Sequence, residues 1–147
     1  MIFSAAAAAL AGDDEESLRL ERKAEGIGME GYGLFFDPPR LQIALARSDL
    51  ENLRRLVDGL DEEQLEPWAY LSRSPLFDAL VALGERERIE ADAPFWIEHG
   101  SYASPFALRA LGLVREDDAL VEQAAQEFDA MGLGWHAQRT RERKIVG

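Results

Sequence analysis

The chain has 147 residues, enough for one domain with a substantial core, and 47% of them are hydrophobic, which argues against global disorder. Its formal net charge of −12 at pH 7 argues against a nucleic-acid surface, because phosphate binding needs clustered lysines and arginines. The sequence contains no cysteine, which excludes disulfides, thiolate metal sites and a cysteine nucleophile.

The first predicted hairpin covers residues 2–25. Residues 2–11 are almost all apolar and rich in alanine, which favours a helix; Gly12-Asp13-Asp14 predicts a turn, and residues 15–25 a second helix. The N-terminal apolar run carries no positive charge and is short for an export signal, and no stretch of the sequence is long enough to cross a bilayer. We therefore expect a cytoplasmic protein that does not engage a membrane.

A glycine run follows this hairpin. Gly26, Gly28 and Gly31 have the G-x-G-x-x-G spacing of dinucleotide-binding loops. That loop requires a strand before it and a helix that begins within it, because the pyrophosphate lies on the helix N-terminus. A charged helix precedes these glycines instead, so we interpret them as a helix C-cap and a linker between hairpins, without nucleotide binding.

Two further hairpins are predicted over residues 37–60 and 74–98. Leucine and valine recur at helical spacing in residues 50–60, the clearest amphipathic stripe of the chain. Gly84-Glu85 predicts the turn of the third hairpin. Pro94 is expected to kink or end the second helix of that hairpin, because proline lacks the backbone N–H.

The best-defined hairpin is predicted over residues 104–131, followed by a capping helix at 134–145. Ser104 is a favoured N-cap, and proline suits the first turn that follows it. Two apolar stripes with a 3.6-residue period flank a polar turn at residues 115–118. Phe128 lies on the second stripe, so we predict that it is a core residue.

Helix starts with the same signature recur along the chain. A capping residue followed by proline occurs at Asp37-Pro38, Ser74-Pro75 and Ser104-Pro105, so the prolines are 37 and 30 residues apart. The segments SPLFDALVALG and SPFALRALGLV also match apolar for apolar at most positions. A period of about 30 to 40 residues built of helix pairs is typical of α-solenoids. We therefore predict an all-α fold, an α-α superhelix of about four helical hairpins in a single domain over residues 1–147.

The fourth hairpin resembles the tetratricopeptide repeat. Leu111-Gly112, and then Ala124 and Phe128 four residues apart, lie in the register of that pattern. Three residues occupy positions that the pattern fills with aromatic residues or proline: Leu108, Arg115 and His136. The array is therefore identified as a degenerate, tetratricopeptide-like solenoid.

Residues 74–141 also resemble the C-terminal helical repeats of large actinobacterial-type regulators. Those regulators are signal-transduction ATPases that carry a cyclase-like or LuxR-type DNA-binding domain elsewhere in the chain. The resemblance implies a sensory or protein-interaction region. This sequence shows no phosphate-binding loop, cyclase domain or helix-turn-helix signature, so the resemblance extends only to the helical scaffold.

The acidic runs and the histidines do not predict a catalytic or metal site. The acidic runs fall in turns or at helix starts, where solvent and the helix dipole favour carboxylates. His99 and His136 are the only histidines, and neither has a metal-binding spacing such as H-E-x-x-H. We therefore expect no catalytic residue, no cofactor and no metal ion, and a protein that is not an enzyme.

The predicted function is protein interaction through the concave groove of the solenoid. Such grooves are lined by the first helix of each pair and bind extended or helical peptide segments. We expect four side chains to be exposed there and to contact a protein or peptide partner: Arg40, Gln42, Asp78 and Arg109. The alternative is a ligand-sensing regulatory tail, or a fragment, of an ATPase, cyclase or LuxR-type regulator.

The N-terminal helix predicts self-association. A terminal repeat of a solenoid needs a polar outer face, yet residues 2–11 contain Ser4 as their only polar side chain. Ile2, Phe3 and Leu10 are the large apolar residues of this helix. Three arrangements would cover such a face: packing back onto the second hairpin, docking on a partner, or pairing with a second copy. Of these we expect the last, a weak homodimer in which these three side chains contact a second copy.

Overall fold

The structure, a computed structural model, describes residues 1–26, 33–60 and 69–145, with the backbone alone for residues 33–36 and 69–71. These residues form helices joined by turns and contain no strand, which confirms the predicted all-α class. The helices are α1 Ile2–Leu10, α2 Asp14–Glu25, α3 Gly33–Ala46, α4 Leu50–Asp58, α5 Ala69–Leu83, α6 Arg86–Glu98, α7 Ser104–Arg115, α8 Asp118–Ala130 and α9 Gly134–Arg141. Within the described ranges, none of them combines the length and apolarity of a membrane-spanning helix.

One type of turn recurs between the paired helices. At each such turn a residue with positive φ is followed by a residue whose backbone N–H bonds to the carbonyl five residues earlier, the Schellman ending. The residues with positive φ are Gly12, Ser48, Gly84 and Glu116, at steps of 36, 36 and 32 residues. The next residue is aspartate in three of the four turns, and its side chain caps the following helix. The turns thus recur with a nearly constant period.

Met1–Pro75 form one compact unit. Within it, α1 packs against α2 and α3, and α3 packs against α4. Its core cluster consists mainly of small side chains, which let the helices approach closely: Ile2, Ala5, Ala6, Ala9 and Ile43. On α4, Leu53 and Val57 are buried four residues apart, as the predicted amphipathic stripe requires.

Leu76–Val146 form the second compact unit. Here α7 packs against both α6 and α8, and α8 packs against α9. Every residue of α7 from Ser104 to Gly112 is buried. A Cβ atom on Gly112 would lie 2.9 Å from Cγ2 of Val121, so only glycine fits where α7 meets α8. Phe128 is fully buried, which confirms its prediction as a core residue.

The helix starts differ from the prediction at two of the three prolines. Helix α3 begins at Gly33 and α5 at Ala69, so the prolines at 38, 39 and 75 lie inside helices. Each proline removes one backbone hydrogen bond, while the residues before it keep their helical conformation. Pro105 does lie in the first turn of α7, but the N-cap is Ala103, whose carbonyl accepts from the Ala107 N–H at 3.0 Å. The Ser104 hydroxyl donates to Oε2 of Glu127 at 2.9 Å.

The ends of two further predicted segments also differ in detail. Gly26 is the C-cap of α2, as predicted, whereas Gly28 and Gly31 of the glycine run lie outside the described residues. The predicted capping helix at 134–145 is shorter than expected, because α9 ends at Arg141.

Candidate functional site

The predicted groove residues differ sharply in exposure. On α3, Arg40 is exposed and Gln42 is half-buried, whereas Asp78 on α5 and Arg109 on α7 are buried. The expectation that Asp78 and Arg109 are exposed is therefore wrong. Because α6 and α8 both cover α7, Arg109 has no solvent-facing side, and a buried guanidinium requires a nearby carboxylate.

Arg109 is the centre of a buried cluster in the second unit. Its Nη2 donates to Oδ1 of Asp78 at 2.5 Å, and its Nη1 donates to Oγ1 of Thr140 at 3.4 Å. The guanidinium carbon lies 5.3 Å from the ring centre of Phe106 and 5.1 Å from that of Phe128, within cation–π range. With 1% of its surface exposed, Arg109 is an interior residue and cannot contact a partner.

Burial changes the protonation of two groups in this cluster. Burial raises the pKa of Asp78, and the nearby Arg109 only partly offsets this effect. His136 stacks on Phe128 at 5.2 Å between ring centres, and burial together with the charge of Arg109 lowers the pKa of His136 to about 4. His136 is therefore neutral near pH 7, and its buried Nδ1 has no hydrogen-bond partner among the described residues.

A cavity of about 350 Å³ lies in the first unit, between α2, α3 and α4. Its described lining combines two glutamates, two arginines, an asparagine and two apolar residues: Glu21, Glu25, Arg40, Ile43, Asn52, Arg55 and Leu56. We call this cavity the α2–α4 groove. It contains Arg40, one of the predicted partner-binding residues.

Helical spacing brings the lining residues of each helix to one face. Glu21 and Glu25 are four residues apart on α2, and Asn52, Arg55 and Leu56 are three and four residues apart on α4. These intervals place side chains on the same side of a helix. The spacing was visible in the sequence, but nothing in the sequence shows that the charged faces of α2 and α4 border the same cavity.

Two charged side chains in the α2–α4 groove are not neutralised by any residue that the structure describes. Glu21 accepts a hydrogen bond from Arg47 Nη2 at 2.6 Å, so its charge is balanced. Arg55 instead donates from Nη2 to the neutral amide oxygen Oδ1 of Asn52 at 2.6 Å. Glu25 makes no hydrogen bond or ion pair with any residue that the structure describes. The groove therefore exposes one carboxylate and one guanidinium, on α2 and α4, that are not paired with each other.

The three predicted self-association residues do not share one face. Phe3 and Leu10 are 61% and 38% exposed, whereas Ile2 is 7% exposed and belongs to the core cluster of the first unit. The assignment of Ile2 to an exposed contact face is wrong, because the helix turn that exposes Phe3 directs Ile2 toward the core. Contact through Phe3 and Leu10 stays a prediction.

No group of three or more His, Asp or Glu side chains in the described part of the chain is arranged to hold a metal ion. Comparison with family models, with curated proteins and with solved structures gave no match to this chain.

Proposed function

We propose that this chain is a non-enzymatic helical-repeat module that binds a peptide segment of a partner protein in the α2–α4 groove. The observation that carries the proposal is the pair of exposed charges, Glu25 and Arg55, which line a single cavity and form no ion pair with any residue that the structure describes. Exposed charges of both signs favour a polypeptide partner that presents the complementary charges.

The recurring turns support the repeat part of the proposal. Steps of 36, 36 and 32 residues between the residues with positive φ are close to the period of helix-pair repeats. In such arrays each repeat packs on its neighbours, and the resulting surface binds extended partners. Of the predicted partner-binding residues, Arg40 lines the groove, and Gln42 is a half-buried neighbour on the same helix.

A pull-down with quantitative mass spectrometry tests this function. The tagged chain is incubated with lysate of its host, and the captured proteins are compared with those captured by Arg40→Glu and by Arg55→Glu. We expect a partner that wild type captures and that both variants lose. A matched control is Lys23→Glu, an exposed residue of α2 outside the described lining, which should retain the partner. Failure of wild type to enrich any protein would contradict the proposal.

The proposal includes a cytoplasmic location and weak self-association through α1. Phe3, Ala7 and Leu10 are all exposed, at the spacing of one helix face. Light scattering over a dilution series should show concentration-dependent dimers that Phe3→Glu removes. A strict monomer at about 100 μM, unchanged by the substitution, would contradict self-association.

A further inference from the structure

We infer that the α2–α4 groove selects a partner segment of mixed charge, which presents one acidic and one basic side chain to the groove. This inference rests on the proposed function and names the chemistry of the partner. Its basis is the presence of Glu25 and Arg55, two exposed charges of opposite sign, in the lining of one cavity.

The two uncompensated charges determine the charge pattern. Glu25 on α2 and Arg55 on α4 line the same cavity, yet no ion pair joins them. A segment with only acidic side chains would pair with Arg55 but face the carboxylate of Glu25. A segment with only basic side chains would meet the opposite conflict. A mixed segment satisfies both groups, and such complementarity discriminates between partners.

The other charged residues of the groove are already engaged. Glu21 accepts from Arg47, whose Nη2 also donates to Oγ of Ser17 at 2.8 Å. Arg40 lies 3.9 Å from Oδ1 of Asp37, an ion pair within α3. Neither Glu21 nor Arg40 therefore changes the requirement for one acidic and one basic side chain.

The apolar surface of the groove is contributed by Leu56, which is half-buried, whereas Ile43 is 3% exposed and belongs to the core. An apolar side chain placed against Leu56 removes hydrocarbon surface from water, which favours binding by roughly 25 cal/mol per Å² buried. A leucine-sized residue beside the acidic and the basic residue of the segment can make this contact.

The openness of the groove favours a peptide over a free small molecule. Small ligands typically have roughly 70–90% of their surface buried in a pocket. Glu25, Arg40 and Arg55 are exposed, so the α2–α4 groove remains accessible to solvent along one side. A polypeptide backbone can lie along that side while its side chains enter the groove.

NMR titration with short peptides tests the inference. The probes are Ac-Gly-Glu-Leu-Lys-Gly-NH2, its all-acidic form with Glu at both charged positions, and its all-basic form with Lys at both. Amide shifts of α2, α3 and α4 are followed in the full chain at about 150 mM salt, where interactions between distant surface charges are screened. We expect saturable shifts with the mixed peptide and at least about fivefold weaker binding of the other two.

Charge reversal of the groove provides the decisive comparison. Arg55→Glu should shift the preference to the all-basic peptide, and Glu25→Lys should shift it to the all-acidic peptide, each by at least about fivefold. Both residues are exposed, so the fold should persist, and Lys23→Glu serves as the matched control with unchanged preference.

Two outcomes separate the inference from the proposed function. If no peptide shifts the groove amides, or if neither reversal changes the preference, the mixed-charge inference is wrong. A partner captured by wild type and lost with Arg40→Glu would then still support the interaction function. If the peptides bind as expected but no partner is captured from lysate, the chemistry of the groove stands and the cellular function is contradicted.

Discussion

Each unit of the molecule holds an arginine between a carboxylate and a hydroxyl, but at very different depths. In the unit Met1–Pro75, Arg47 donates to Glu21 and to Ser17, and its side chain remains 23% exposed. In the unit Leu76–Val146, Arg109 donates to Asp78 and to Thr140, and its side chain is 1% exposed. Hydrogen-bonding groups of the same chemical types thus lie in two different environments, near the surface in the first unit and in the interior of the second.

This difference in depth determines how much each ion pair contributes to stability. Water screens the pair at the edge of the first unit, so such a pair contributes about 0–1 kcal/mol. The interior pair of the second unit has lost its hydration, so removal of one member leaves a buried, uncompensated charge. The Arg47–Glu21 pair lies near the surface beside the α2–α4 groove, whereas Arg109 lies between the aromatic rings of Phe106 and Phe128.

The largest effect is expected from truncation of the interior arginine. Arg109→Ala should lower the free energy of unfolding by about 3–5 kcal/mol, because Asp78 then stays buried without its partner. Arg47→Ala should lower it by about 1 kcal/mol at most, because Glu21 is partly exposed and can be hydrated. Urea unfolding followed by circular dichroism measures both values.

A double variant isolates the effect of the unpaired charge. Replacement of both members, Asp78→Leu with Arg109→Met, should recover most of the stability that Arg109→Ala loses, because no buried charge remains. Equal losses for Arg47→Ala and Arg109→Ala would contradict the contrast between the two units.

Truncation of an aromatic core residue in the unit Leu76–Val146 should reduce stability nearly as much as truncation of Arg109. Phe128→Ala should lower the free energy of unfolding by about 3–5 kcal/mol, through lost burial and the cavity it leaves. Phe95, which is 55% exposed, provides the control, and Phe95→Ala should change stability by less than about 1 kcal/mol. A loss below about 1 kcal/mol for Phe128→Ala would mean that the ring does not anchor the core.

The close approach of α7 and α8 should require glycine at position 112. Gly112→Ala should destabilise the protein by about 1–3 kcal/mol, because the new methyl group overlaps Val121. Gly134→Ala, at an open position with no neighbouring atom within 4 Å, should be neutral or slightly stabilising, because alanine favours helices. Denaturant titration of the two variants compares them directly, and equal effects would contradict the steric argument.

Helical periodicity in the sequence predicts the all-α class and the burial of Phe128, whereas alanine-rich composition and a Gly-Asp turn predict the first hairpin. Apolar spacing reports which face of a helix is buried, and glycine followed by aspartate reports a turn. The starts of α3 and α5 were not predictable from proline alone. Proline is favoured in a first turn, but a helix also tolerates it further in when one lost hydrogen bond is acceptable.

The burial of Arg109 and the location of the α2–α4 groove could not be predicted from the sequence. Charged residues are usually exposed, and a single apolar stripe on α7 does not show that neighbours cover both sides of the helix. One feature of the sequence is consistent with this ion pair. Asp78 and Arg109 have opposite charges and follow Ser-Pro at similar positions in successive predicted repeats, 31 residues apart. The α2–α4 groove depends on three helices meeting, which local periodicity does not encode.

The protonation of His136 should make the second unit sensitive to mild acid. Its pKa is lowered to about 4, below the ordinary value of 6.5, so the unfolded chain binds the proton more readily. The stability contribution is complete above about pH 6.5 and is lost as the pH falls toward 4. Partial exposure of the ring reduces the effect, so we expect a loss of about 1 kcal/mol between pH 7 and 5.

A glutamine in place of His136 should remove this component of the pH dependence. Asp78 acts in the opposite direction, because its raised pKa makes the folded state bind the proton more readily, and stability falls as the pH rises through that range. Unfolding curves at pH 7, 6 and 5 for wild type and His136→Gln isolate the histidine. Identical slopes for the two proteins would show that the ring is not desolvated.

The smallest effect concerns the turns, where the two units should behave alike despite their different interiors. Gly12 and Gly84 have φ values of +78° and +71°, and a Cβ atom at either position would have no neighbour within 4 Å. Alanine in the left-handed conformation is unfavourable by roughly 1–2 kcal/mol, and part of this is offset by the lower entropy of the unfolded chain. Gly12→Ala and Gly84→Ala should therefore each cost about 0.5–1 kcal/mol in urea unfolding. Because packing plays no part at these positions, the two losses should agree within about 0.5 kcal/mol. A larger difference would mean that the surroundings of the turns, and not their shared backbone geometry, determine how each hairpin closes.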